Sequence, residues 1–276
     1  MKNRPIAKLL LKSRDVDISK YDQTFLEKSL QRRMTEMHCG YEEAYYTFME
    51  QNNQEGEAFL NSLLIGYSEF FRNSLSFSVL EKIIFETILL KKTNSKRKEI
   101  RIWSAACSSG QETYSLAMLL KEFKNGEGEE INFRIFATDC SEEVVNEARK
   151  AEFRIESLTN LSLKRINQWF TKQGDIYTVK PELNENIDFS VFDLLNEELS
   201  SPPTSIFGNF DLVVCANLLF YYKPDSQKKI IEKVVQCLTK GGFLMTGETE
   251  RSILMKYNLV EVYPQSAIFR IQNPQS

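Results

Sequence analysis

The sequence predicts an α/β domain with a doubly wound, mainly parallel sheet that ends in an antiparallel strand pair, preceded by a small all-helical domain. Three observations predict it. From residue 100 onward, apolar strand-like runs alternate with helical stretches, the signature of a parallel sheet with crossover helices. Residues 100–120 pass from a short apolar run, through small residues with one glycine, into a helix carrying Leu116, Leu119 and Leu120. Strand, small-residue turn and helix open a nucleotide-type pocket in such sheets. The first 65 residues, in contrast, show helical spacing alone.

Along the chain, Asp22 caps a helix with apolar positions Leu26, Leu30, Met34 and Met37, and Gly40 ends it. Its other face presents Lys28, Arg32 and Arg33. A helix over 41–51 turns Tyr45, Phe48 and Met49 inward. Another starts near Glu55, carries Phe59, Leu60, Leu63 and Leu64 on one side, and stops at Gly66. Tyr67-Ser68-Glu69-Phe70-Phe71-Arg72-Asn73 then sets two aromatics and an arginine on a short connection. A helix over 76–91 has the stripe Leu80, Ile83, Ile84, Ile88 and Leu89, and the charged run 91–99 reads as a surface loop. Core strands are expected over 100–103, 133–137, 187–191, 210–215 and 243–245. Ser141 caps a helix reaching about Ala151, with Glu142 and Glu143 in its first turn. Helices are expected over 162–170 and 224–238, and short β pieces around Gly174 and Tyr177-Thr178-Val179. The last strands, 259–262 and 267–271, are joined by Tyr263-Pro264-Gln265-Ser266, too short for a parallel crossover, so the pair is antiparallel.

With 42% hydrophobic and 26% charged residues among 276, the composition is that of a soluble globular chain. The net charge of −3 argues against a nucleic-acid binder. Residues 1–40 hold nine Lys/Arg and five Asp/Glu, a local +4 that leaves −7 for the remainder. That basic segment reads as a solvated face or as a docking surface for an acidic partner. Lys8 interrupts the early apolar run, so neither a leader peptide nor a membrane span is expected. Five scattered cysteines do not form a disulfide framework and suggest the cytoplasm. The single histidine, His38, excludes His-rich metal sites and makes a histidine triad improbable.

Ligands of such sheets bind beyond the carboxyl ends of the strands. There stand Ser108, Ser109, Gly110 and Glu112 after the first strand, Asp139 after the second, Asp193 after the third, and Ala216 and Asn217 after the fourth. A dinucleotide wants more glycine and a helix start free of acid, and no Gly-Lys-Ser/Thr of a P-loop is present. S-adenosylmethionine fits better: it carries no phosphate, and its sulfonium and ammonium are attracted by carboxylates. Asp139 is placed for the ribose hydroxyls and Glu112 for the ammonium, although an acid in a first helical turn is also favoured by the helix dipole alone. The small residues 105–110 let the cofactor approach the backbone. The terminal antiparallel pair suits a Rossmann-like, class I methyltransferase sheet better than a dehydrogenase.

These residues resemble the CheR-type chemoreceptor glutamate methyltransferases. Residues 103–115, Trp-Ser-Ala-Ala-Cys-Ser-Ser-Gly-Gln-Glu-Thr-Tyr-Ser, resemble that family's cofactor motif, and Ser68-Glu69-Phe70-Phe71-Arg72 its Thr-x-Phe-Phe-Arg. Ala137-Thr138-Asp139, Asp193-Leu194-Leu195, the 215–222 segment, Gly241-Gly242 and Gly247-Glu248-Thr249-Glu250 are similar to later motifs, and 17–21 and 32–34 to its helical domain. The resemblance implies a helical domain over 1–66, a linker motif and helix over 67–98, and a methyltransferase domain over 99–276 with a small β-subdomain near 171–186. It implies cofactor contacts from Ser68, Arg72, Glu112, Asp139, Asp193, Leu194 and Asn217, to which the strand-end positions Gly110 and Ala216 are added, with Arg72 and Tyr221 near the transferred methyl. It further implies that acidic receptor helices are the substrate, docked by Lys28, Arg32 and Arg33, on a cytoplasmic monomer that needs no metal. Four positions depart from the family pattern: Gly66, Thr113, Ala216 and Glu248 stand where it has Asn, Pro, Arg and His. Methylation of another protein, or a binding module without turnover, therefore stays open. Cys107, Cys140 and Cys215 fall at strand ends, where small buried residues are the ordinary explanation.

Overall fold

The computed structural model describes residues 5–64, 66–92, 98–124, 126, 128, 130–205 and 208–272. Two compact units emerge: Met1–Ile65 with Leu219–Lys228, and Gly66–Leu218 with Lys229–Ser276. Among the described residues no helix is long and apolar enough to cross a membrane.

The first unit is built on α1 (Pro5–Arg14), α2 (Gln23–Glu36), α3 (Glu42–Gln51) and α4 (Asn53–Leu63). Helix α1 lies within the stretch expected to be all-helical, although no individual helix was assigned ahead of Asp22. Lys8 is exposed while Ile6 and Leu10 are buried on the opposite face, so the charge interrupts the sequence without interrupting the stripe. Asp22 caps α2 by accepting from the Thr24 and Phe25 amides. The stop, however, comes before Gly40. His38 takes the left-handed conformation (φ 56°), the Cys39 amide donates to the Met34 carbonyl at 2.8 Å, and the His38 amide to Thr35 at 3.2 Å. This is a Schellman closure made by histidine where glycine is usual. Glu55 is buried within the unit and accepts from Tyr45 Oη at 2.6 Å and Arg33 Nε at 3.0 Å. Tyr21 stacks on Tyr222 at 5.2 Å.

The second unit opens with α5 (Ser74–Val79), a π turn (Leu80–Ile84) and α6 (Phe85–Lys92). The π turn overturns part of the expected stripe. One extra residue per turn rotates the remainder of the helix, so Ile83 is 43% exposed while Phe85 is fully buried. Of the run 91–99, residues 93–97 lie outside the described residues. Lys91 and Lys92 finish α6 rather than a loop, and Lys92 pairs with the buried Asp211 at 2.9 Å.

Next come β1 (Ile100–Ala105), α7 (Gln111–Glu122), β2 (Phe133–Asp139), α8 (Glu142–Lys150), β3 (Glu152–Arg154), α9 (Leu163–Trp169), β4 (Phe170–Gln173), β5 (Ile176–Val179), α10 (Pro181–Asn184) and β6 (Ile187–Val191). Strand β7 (Phe210–Val214), α11 (Pro224–Gln236), β8 (Leu238–Met245), α12 (Arg251–Leu254), β9 (Leu259–Glu261) and β10 (Ile268–Ile271) complete the order. The main sheet runs β6-β2-β1-β7-β8-β10-β9, parallel from β6 to β8 and antiparallel for β10 and β9. It is thus a mixed seven-stranded, Rossmann-like sheet with antiparallel final strands. β6 is an edge strand and only half-buried, although it was expected in the core. β8 begins five residues early, ahead of Gly241-Gly242. A second, antiparallel sheet, β3-β5-β4, includes β3, which its charged ends concealed.

Alternation along β1 sends Ile100 and Ile102 into the core shared with Leu116, Leu119 and Leu120 of α7, and Trp103 to the opposite face beside Phe210 and Phe192. Helix α7 buries nine of its twelve residues, so its polar side chains must find partners inside. The buried Ser76 hydroxyl donates to the Ser266 carbonyl at 2.7 Å, tying the start of this unit to its last hairpin.

Candidate active site

Because β2, β1 and β7 are parallel neighbours, their carboxyl ends gather at one edge of the sheet, and the strand order reverses between β1 and β7. The turn from β1 to α7 is the tightest part of that edge. Ala106 (φ 66°), Ser108 (φ 50°) and Gly110 (φ 95°) are all left-handed. A Cβ on Gly110 would meet Tyr114 Cε2 at 3.0 Å and Ala148 Cβ at 3.2 Å, so both conformation and space demand glycine. Strained non-glycine residues persist only where the surroundings hold them.

Asp139, at the end of β2, does the holding. Its Oδ2 accepts from the Ser108 amide at 3.0 Å and its Oδ1 from the Ser141 amide at 3.3 Å. Burial raises its carboxyl above the usual range, against those backbone bonds, which favour the charged form. The Ser108 hydroxyl is buried and has no hydrogen-bond partner among the described residues. An orphaned donor-acceptor beside an acid, on a backbone without bulky side chains, is what a polyhydroxylated, phosphate-free ligand requires.

Glu112, in the first turn of α7, accepts from Ser104 Oγ at 2.8 Å, and Ser104 in turn accepts from Thr113 Oγ1 at 3.1 Å. Burial pushes the Glu112 carboxyl up to about 7, and Glu250 pushes the same way, while the Ser104 hydroxyl and the Arg72 charge pull down. A folded-state value above the 4.5 of the free side chain contributes stability to the empty protein at low pH, lost as pH rises toward about 7. A cationic ligand group set against this carboxylate would reverse this, since only the ionised form pairs with it. The affinity of such a ligand is therefore expected to rise about tenfold from pH 6 to pH 8. Calorimetric titrations across that range would show it, and Glu112→Gln should flatten the curve.

The linker supplies the third wall. Phe70 is fully buried, edge-on to Phe153 at 4.9 Å and to Phe170 at 5.7 Å. Phe71 is left-handed (φ 50°), its amide donates to Ser115 Oγ at 3.0 Å, and the Arg165 guanidinium lies 4.3 Å from its ring. The adjacent aromatics are thus a pin that fixes Ser68 and Arg72. Ser68 is half-buried, and Arg72 is exposed with its guanidinium 5.3 Å from the Tyr67 ring.

At the end of β6, Asp193 Oδ1 accepts from the Leu195 amide at 2.8 Å and Leu194 is buried, while the Phe192 amide donates to the Asp139 carbonyl. After β7, Ala216 is half-buried and Asn217 left-handed (φ 59°). The second unit therefore carries Ser68, Arg72, Gly110, Glu112, Asp139, Asp193, Leu194, Ala216 and Asn217. Tyr221 belongs to the first unit, its ring 4.9 Å from Phe25 and 4.1 Å from Phe220. Lys28 and Arg32 are exposed on α2, Arg32 donating to the Ser62 carbonyl at 3.0 Å. Arg33 is committed to Glu55 and Glu36, which withdraws it from the basic face it was grouped with. Cys107 and Cys215 are buried and their thiols pushed well up by that burial, whereas Cys140 is exposed, contrary to the expectation of three small buried residues. Sequence reasoning named Ser104, Ser115 and Glu250 only inside longer motifs and gave none of them a role of its own. Glu250 had a signal, a Gly-x-x-Glu box at residues 247–250 just past a strand.

The family described as CheR methyltransferase, SAM binding domain, matches residues 67–266, and CheR methyltransferase, all-alpha domain, matches residues 4–64. The chain is 32% identical over 226 residues to a chemotaxis protein methyltransferase of Borreliella burgdorferi, covering 80% of this chain and 77% of that one. It is 28% identical over 254 residues to the chemotaxis protein methyltransferase of Escherichia coli, covering 90% and 83%. It is also 27% identical over 270 residues to an uncharacterized 104.1 kDa protein of Rhodobacter capsulatus, covering 98% of this chain but only 27% of that longer one.

Proposed function

The chain belongs to the CheR methyltransferase family of S-adenosylmethionine-dependent enzymes, and from that premise we propose that it methylates glutamate side chains of chemoreceptors, forming methyl esters. The observation that carries the reading is the acidic, phosphate-free pocket edge: Glu112, Asp139 and the orphaned Ser108 hydroxyl on a strained small-residue turn. Asp139 and Ser108 would hold the ribose and Glu112 the ammonium, with Ser68, Asp193, Leu194, Ala216 and Asn217 around them. The bound cofactor supplies a methyl group on a positive sulfonium and leaves as S-adenosylhomocysteine.

A substrate glutamate, with a pKa of about 4.3, is already ionised at neutral pH. No side chain need remove a proton, which suits a chain whose single histidine sits at a helix end in the first unit. What remains for the protein is alignment and exclusion of water. Arg72 would orient the incoming carboxylate through paired N–H donors. In the proposed division of labour, residues 1–66 dock the acidic receptor helix through Lys28 and Arg32, residues 67–98 carry the linker motif, and residues 99–276 hold the cofactor. Arg33 keeps that docking helix in place through Glu55 rather than meeting the partner.

The test is incubation with methyl-tritiated cofactor and the cytoplasmic fragment of a chemoreceptor. Base-labile label on the receptor is the expected result. Undiminished binding of S-adenosylhomocysteine with no base-labile label would replace this reading with a binding module or with another substrate.

A further inference from the structure

Glu250 is a fully buried carboxylate of the cofactor-side edge that the proposed mechanism leaves without a task. It stands just after the turn beyond β8, and it is completely inaccessible. One of its oxygens, Oε2, collects three bonds: from the Asn217 amide at 2.7 Å, the Thr246 hydroxyl at 2.8 Å and the Gly247 amide at 2.9 Å. Two turns about thirty residues apart in sequence are thereby fastened to a single atom. Asn217 needs such a fastening, because its left-handed backbone costs about 1 kcal/mol or more in a free chain. The fit is close on the other side too. A Cβ at Gly247 would lie 2.5 Å from Asn217 Nδ2 and 2.9 Å from Glu250 Oε2.

The carboxylate is also within electrostatic reach of Glu112. The charged and titratable groups around Glu112 are Glu250 from the turn after β8, Arg72 from the linker, Cys107 from the turn after β1 and Cys215 from the end of β7; both thiols stay protonated. Glu250 thus adds a second negative charge to the wall that Glu112 forms, and among the described residues Arg72 is the cation that opposes it.

We propose that Glu250 is a positioning residue for the amino-acid end of the cofactor, fixing the Asn217 turn and deepening the negative field in which Glu112 takes the ammonium. This rests on the S-adenosylmethionine reading of the pocket. It makes a selective demand. A ligand with adenine, ribose and thioether but no amino-acid tail should be indifferent to the charge of Glu250. A ligand with the tail should depend on it.

The experiment compares S-adenosylhomocysteine with 5′-methylthioadenosine by calorimetry on the full chain. Glu250→Gln, which keeps an acceptor oxygen but removes the charge, is expected to weaken S-adenosylhomocysteine about tenfold and to leave methylthioadenosine within twofold. The pH midpoint of S-adenosylhomocysteine binding should also fall, because one of the groups opposing Glu112 ionisation is gone. Gly247→Ala keeps the charge but crowds both Asn217 and the Glu250 carboxylate, so it should weaken the tailed ligand more than methylthioadenosine. Equal weakening of both ligands by Glu250→Gln, or an unmoved midpoint, would mean a merely structural carboxylate and overturn the proposal. If Glu250→Gln does not fold, Gly247→Ala decides alone: unchanged affinity for the tailed ligand overturns the positioning of Asn217, and selective loss supports it. Failure of the unaltered protein to bind either ligand would instead remove the cofactor reading.

Discussion

Asp139→Ala is expected to abolish measurable binding of S-adenosylhomocysteine, a loss of at least about 100-fold, or roughly 3 kcal/mol. Two effects combine. The ribose loses its carboxylate partner, and the amides of Ser108 and Ser141 lose their acceptor in a half-buried setting. The Ser108 amide matters most, since its residue is held in a left-handed conformation between two others. Without the carboxylate the turn has less reason to stay in that shape. Asp139→Asn is the informative companion, because it preserves an acceptor for one amide and should lose less. Calorimetric titration with the product checks both, and undiminished affinity in the alanine variant would remove Asp139 from the pocket.

Phe70→Ala is expected to cost about 3–5 kcal/mol of stability, the range for truncating a fully buried aromatic. Phe70 has no exposed surface and is edge-on to rings from β3 and β4, so the cavity cannot drain to solvent. The same change frees the segment that carries Ser68 and Arg72, so cofactor affinity should drop alongside stability. Denaturant unfolding monitored with and without S-adenosylhomocysteine separates the two effects. Tyr67→Ala is the control, because Tyr67 is 64% exposed and should leave the unfolding midpoint almost unchanged.

The sheet was legible because its information is periodic. The strands at residues 100, 133 and 210 are apolar on both faces, and the four-residue connection before residue 267 leaves only antiparallel pairing for the last strands. What escaped lacks such periodicity. Strand β3 has one buried residue, Phe153, between two charged ones, so its membership in a sheet depends on Tyr177 and Ile176 across the ladder. The π turn at Leu80–Ile84 leaves the composition of its helix unchanged and alters only its phase. His38 ended α2 because it could take the left-handed conformation that the local Schellman bonds need, two residues ahead of the glycine. In the site, acids directly after strands could be named because position and chemistry coincide there. Glu250 acts through atoms of two other turns, and a linear reading does not bring residues 217 and 250 together.

The bond from Ser76 to Ser266 has a consequence for synthesis. Its two ends are 190 residues apart, so at about 5–20 residues per second a ribosome needs roughly 10–40 s between releasing one and releasing the other. Throughout that interval the apolar side of the linker helix and the unfinished rim of the sheet lie open, with the residues that complete them not yet made. The linker helix can complete its packing against the last hairpin only once that hairpin has been made.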